Sequence, residues 1–85
     1  MFDLKLKYVK TNKNEVIFFP ETLVHSDFSK FNPISAGFCY IKNDLKAVKC
    51  YGSSVSLNLD SIPKEDSFDA TRAVFGADAA IRLES

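Results

Sequence analysis

The stretch at residues 37–60 constrains the fold of this chain more than any other. Three short runs rich in β-branched and aromatic residues, at 37–42, 47–52 and 54–60, are separated by turn residues, which is the pattern of an antiparallel meander. An even-length turn around Asp44 and Leu45 sets Ile41 opposite Val48 and Cys39 opposite Cys50. Both cysteines, Ile41 and Val48 then share one face, while Phe38, Tyr40, Lys49 and Tyr51 share the other. The third run alternates Val55, Leu57 and Leu59 against Ser54, Ser56, Asn58 and Asp60, so one of its faces is wet.

The flanks extend this sheet. From residue 2 to 10, Phe2, Leu4, Leu6 and Tyr8 alternate with Asp3, Lys5 and Lys7, which reads as a strand. A polar turn at 11–14 returns into a second strand at 15–19. An even-length loop pairs Lys10 with Glu15, Val9 with Val16, Tyr8 with Ile17 and Leu6 with Phe19. Residues 20–31 change period: Leu23, Val24, Phe28 and Phe31 fall on one side of a helix that Pro20 and Glu21 would begin. A loop at 32–37 follows, because Pro33 discourages helix at Asn32.

A second helix starts near Ser61, which itself or through a neighbour supplies the cap. Pro63 sits just inside, and acids fill the first turn. Phe68, Ala70, Thr71, Val74 and Phe75 form its expected buried stripe, and Gly76 its stop. Residues 79–84 alternate Ile81 and Leu83 with Arg82 and Glu84, as a last strand would. The expected order is β-β-α-β-β-β-α-β, a mainly antiparallel sheet with two helices packed on one face, an α+β two-layer sandwich.

At 85 residues the chain makes one domain, 1–85, with a thin core, so association with another chain or with a second copy is one source of further stability. Eleven basic and eleven acidic side chains cancel, which leaves no overall field for nucleic acid or anionic lipid. Their distribution is uneven: residues 1–50 carry eight lysines against five acids, and residues 51–85 three bases against six. No apolar run approaches the ~18 residues of a membrane span, and the alternating start lacks a signal peptide's apolar region. A cytoplasmic location and two free thiols are the corresponding expectations.

His25 is the single histidine, so any acid-base chemistry must use it. On a helix, Glu21, His25 and Ser29 lie at i, i+4 and i+8, the residue types of a carboxylate, imidazole and hydroxyl relay. One helical stripe fans such groups outward, so no catalytic residue is assigned beyond these candidates. Two cysteines and one histidine spread over different elements make no metal site, and no motif calls for a cofactor. The run Gly52-Ser53-Ser54-Val55-Ser56 lacks the lysine and following helix of a phosphate loop. It leaves a hydroxyl row, Ser54, Ser56 and Asn58, that could bond a polar ligand.

With the helices on the face carrying Leu4, Leu6, Tyr8, Ile17 and Phe19, the opposite face shows Phe18, Phe38, Tyr40 and Tyr51 among Lys5 and Lys7. Aromatics among lysines suit the centre of a protein interface or base stacking on single-stranded nucleic acid. Zero net charge and a missing RNA-binding motif disfavour the second. The sequence therefore leads to the expectation of a small non-enzymatic protein-interaction module, acting through a sheet face or edge strand and possible as a homodimer. Its alternatives are a small hydrolase or ligand-binding enzyme built on His25, and a single-strand binder.

Overall fold

The alternating start folds as strand β1 (Leu4–Thr11), the first of a set that the computed structural model describes over residues 4–84. Phe2 and Asp3 lie outside the described residues. With β2 (Val16–Phe19), β3 (Pro33–Lys42) and β4 (Ala47–Tyr51) it forms an antiparallel sheet in the order β2-β1-β3-β4. A small ribbon, β5 (Ser53–Ser54) with β6 (Leu59–Asp60), follows, and then helices α1 (Pro63–Phe75) and α2 (Ala77–Glu84). The fold is α+β, with both α-helices on one side of a mainly antiparallel sheet. None of its helices, among the described residues, is long and apolar enough to cross a membrane.

The meander register is the expected one: Cys39 pairs with Cys50 and Ile41 with Val48. The first hairpin differs by one residue. Tyr8 pairs with Phe18, Val9 with Ile17 and Lys10 with Val16. The cause is Asn14, whose φ of 63° adds a left-handed residue after the turn, with the Thr11 amide bonding the Glu15 carbonyl at 2.8 Å. This odd loop flips β2. Phe18 therefore joins Tyr8 beneath the helices, and Ile17 and Phe19 go to the opposite face with Val9.

Four further expectations change, the first at residues 33–37, which were expected as loop and instead form the start of β3, paired with β1. Residues 20–31 hold no α-helix but a seven-residue 3-10 helix, His25–Phe31, between Val24 and a left-handed Asn32. The Thr, Val, Ser, Asp and Phe residues of 20–31 are poor helix formers, and Pro33 leaves no room to lengthen the turn. His25 is its buried residue, whereas Leu23, Val24 and Phe31 are exposed. The run at 54–60 breaks into the β5-β6 ribbon, with Asn58 left-handed and Val55 94% exposed at the tip. Residues 79–84 are helical, not extended: a run of alanines carries α2 past Gly76, whose φ of 97° ends α1.

Two layers cover the sheet. On one side Tyr8, Cys39, Val48, Cys50 and Ala70 form a buried cluster under α1. On the other, Val9, Phe19 and Ala36 are closed by Phe28 from the 3-10 helix and by Leu57 and Leu59 from the ribbon. The helix-side stripe is more polar than expected: Asp66, Ser67, Ala70 and Thr71 are buried and Val74 is exposed. The strand it meets explains this. β4 is an edge strand, and α1 lies against it with hydroxyls where another strand would offer carbonyls. Ser67 Oγ accepts from the Cys50 amide at 2.8 Å, and Thr71 Oγ1 accepts from the Val48 amide at 2.9 Å.

One ionic knot ties this helix to β1. The buried Lys10 ammonium lies 2.9 Å from Asp66 Oδ1 and 3.3 Å from Asp69 Oδ2. The Tyr8 hydroxyl and the Ile62 amide both donate to Asp66 Oδ2, at 2.5 and 2.9 Å. Burial works to raise the Asp66 carboxyl's pKa, but these donors outweigh it and hold it below the ordinary 3.8. Burial likewise opposes the charge on Lys10, and the two aspartates reverse that and raise it.

Removing one partner strands the other. Asp66→Ala should cost about 3 kcal/mol or more in urea denaturation, because Lys10 loses its closest counter-charge while buried. The stability Asp66 contributes is complete above pH 3.8 and is lost as pH falls through its lowered folded value, so the variant's acid limb should flatten there. Thr71→Val, which keeps shape and orphans the Val48 amide, should cost about 1–3 kcal/mol in the same measurement.

Candidate functional site

The β3–β4 register places Phe38 opposite Tyr51 and Tyr40 opposite Lys49, on the side away from the helices. The 3-10 helix and the ribbon cover one end of that face and leave this end open. Three rings follow one another there. Phe38 and Tyr51 stack with centroids 5.9 Å apart, and Tyr51 and Tyr40 with centroids 5.5 Å apart. Tyr51 is thus held between two rings, and Tyr40, 37% exposed, ends the ladder toward solvent.

Lysines from β1 flank it. Lys5 Nζ lies 5.8 Å and Lys7 Nζ 6.0 Å from the Phe38 centroid. Lys7 also donates to the Leu23 carbonyl at 2.8 Å, and Lys5 is 3.8 Å from Glu21. Glu21 first, then the phenols of Tyr51 and Tyr40, raise the Lys5 pKa. Burial, helped by the Tyr40 hydroxyl and opposed by Lys5, pushes the Tyr51 phenol up. At neutral pH Lys5 is therefore an ammonium and Tyr51 a protonated phenol, side by side.

Of the predicted binding residues, the structure brings together Lys5, Lys7, Phe38, Tyr40 and Tyr51. Phe18 is on the other face, for the register reason given above. Lys49 joins the site instead: it was legible as a face-mate of Tyr40.

The candidates Glu21, His25 and Ser29 do not form a stripe, because no α-helix carries them. Glu21 pairs with Lys5, and Ser29 is exposed on the 3-10 helix. His25 is 5% exposed, with its ring edge-on to Phe19 and to Phe38 at centroid distances of 5.4 and 5.8 Å. Its Nε2 lies 2.9 Å from the Gly37 carbonyl. Only a donor can meet a carbonyl, so that nitrogen bears the proton. Gly37 is required at this point, since a Cβ there would lie 2.4 Å from the Tyr51 carbonyl oxygen. Burial lowers the His25 pKa, Lys7 adds to that, and the Gly37 bond opposes both.

Against protein-family models, characterised proteins and solved structures, the chain shows no match. The site must be read from its own geometry.

Beside the ladder, a cleft of about 510 Å3 runs between Val24–His25 and the Gly52–Ser56 turn, floored by Phe38, Tyr51 and Lys7. Gly52, with φ of 80°, passes close against the Phe38 ring, where an added Cβ would lie 3.0 Å from Cδ2. Ser54 Oγ accepts from the Leu57 amide at 3.2 Å and lies 3.4 Å from Ser56 Oγ, which fixes the turn. The serine run was visible in the sequence. Its meeting with His25 and Lys7 was not, because it depends on the ribbon folding back over β3.

The cysteines stand apart from this site. Both are free and buried on the helix side, and burial pushes the Cys39 thiol up to about 11 and the Cys50 thiol up to about 12. Such thiols are poor nucleophiles at neutral pH. Among the described residues no group of three or more His, Cys, Asp or Glu is placed to hold a metal.

His25 supplies a direct check on this geometry. Its ring should titrate below the ordinary 6.5 by NMR, and the stability it contributes should be complete above pH 6.5. That contribution should fall as pH drops through the lowered folded value, since the unfolded chain takes the proton first.

Proposed function

We propose that this protein is a docking module that binds an acidic, extended segment of another protein across the Phe38-Tyr51-Tyr40 ladder. The observation that carries the reading is an open sheet end where stacked rings are bordered by Lys5, Lys7 and Lys49. Rigid aromatics supply contact area at little entropic cost, and lysines at the rim select a partner of opposite charge. Phenol hydroxyls at the ring tips add hydrogen bonds to backbone or carboxylate groups.

Two features favour a protein over nucleic acid. Tyr51 already stacks on Phe38 and on Tyr40, at interplanar angles of 27° and 16°, so a base inserted there would have to part rings that hold one another. The chain's zero net charge also gives no broad field for phosphates. A second copy is a poor occupant, because a symmetric pair on this face would set lysines against lysines. Pairing it with an acidic surface elsewhere on the copy would be head-to-tail, and such contacts close only into rings or else run on as filaments. Edge-strand addition at β4 is disfavoured too, since Ser67 and Thr71 already bond its outward amides.

Fluorescence anisotropy with a labelled alternating Glu-Val peptide tests the reading, with a Lys-Val peptide and oligothymidylate as competitors. The acidic peptide should bind, more weakly as salt rises. Tyr40→Ala should weaken it by about tenfold or more while changing stability by less than about 1 kcal/mol. Lys49→Glu should have a similar effect on binding. Retention of oligothymidylate in place of the peptide, or a dimer in sedimentation that shields Tyr40, would overturn it.

A further inference from the structure

The cleft beside the ladder has its own chemistry. It contains one full positive charge, Lys7, and its lining includes no Asp or Glu. Lys7 is held in place by the Leu23 carbonyl, and an ammonium has three donors to distribute. The serines of the Gly52–Ser56 turn line the same space, Ser53 and Ser56 at exposed positions. The remaining wall is apolar: Val24, 49% exposed, on one side, with Phe38 and Tyr51 below. A volume of about 510 Å3 lies within the range of small-molecule sites.

We propose that this cleft binds a small monoanion, with a carboxylate head on Lys7 and the turn serines and a planar apolar body against Val24, Phe38 and Tyr51. The charge count selects the head group. A phosphate monoester brings nearly two negative charges, and here it would meet a single cation with no α-helix N-terminus in the lining. His25 does not add a second charge, because its protonated Nε2 is committed to the Gly37 carbonyl and its burial keeps the ring neutral. A carboxylate matches one ammonium and neighbouring hydroxyls. The exposed apolar surface at the lip is explained at the same time, since a flat hydrophobic body would cover it.

This site needs no protein partner, so it stands or falls separately from docking on the ladder. The experiment is a backbone-amide NMR titration with benzoate, with benzamide as its neutral isostere. Benzoate should give saturable shifts confined to Val24, His25 and residues 52–56. Benzamide should bind at least about tenfold more weakly, the worth of a charge-assisted hydrogen bond. Lys7→Gln should abolish that preference, Lys7→Arg should keep it, and Ser56→Ala, at an exposed position, should weaken benzoate several-fold without altering the fold. Unsaturable or dispersed shifts, equal binding of benzamide, or an undiminished preference in Lys7→Gln would each overturn the proposal. Benzoate held in the cleft with no acidic peptide on the ladder would leave this site intact and remove the docking role.

Discussion

The contact between Lys10 and Asp66 holds the two halves of the chain together. One charge comes from the end of the first strand and the other from the first turn of α1, fifty-six positions later, and both are enclosed. Burying a pair of ions gains little over apolar residues of the same volume, so its value lies in selectivity. Only one seating of α1 on the sheet brings Asp66 to Lys10, Tyr8 and the Ile62 amide at once. That seating in turn brings Ser67 and Thr71 to the amides of β4 and Ala70 into the cluster with Tyr8 and Cys50.

Because the helices are fixed on that side, the opposite side is free for other duties. Its one end is closed by Phe28, Leu57 and Leu59, and its other end carries the ladder and the cleft. His25 stands between the two regions, with its ring against Phe19 of the closed part and Phe38 of the open part. It acts as a wedge: its hydrogen bond to Gly37 anchors the 3-10 helix to β3 at the place where a side chain on residue 37 could not fit.

What the sequence revealed, and what it hid, follows from how many independent signals agreed at each place. At Cys39 and Cys50 the alternation, the aromatic content and the turn at residues 43–46 all gave one register, and the structure has it. In the first hairpin, alternation alone cannot count loop residues. A single left-handed Asn14 moved Phe18 to the other side and separated it from the residues grouped with it. Residues 79–84 are too few to tell a period of two from one of 3.6, and the alanines before Ile81 were the better guide. Five of the six binding candidates lie together because they hang on β1, β3 and β4. The knot of Tyr8, Lys10 and Asp66 left no local trace, since each member reads as an ordinary strand or first-turn residue until the chain is closed.

The hydroxyls that α1 sets against β4 bear on how this molecule fails. A sheet ending in Val48 and Cys50 with bare amides would recruit strands from neighbouring molecules, and those amides stay occupied only while α1 is seated. Loosening of the helix and exposure of a sticky border are therefore one event. A form of this chain opened at α1 is an aggregation-prone one, and conditions that keep α1 in place favour its survival in concentrated solution.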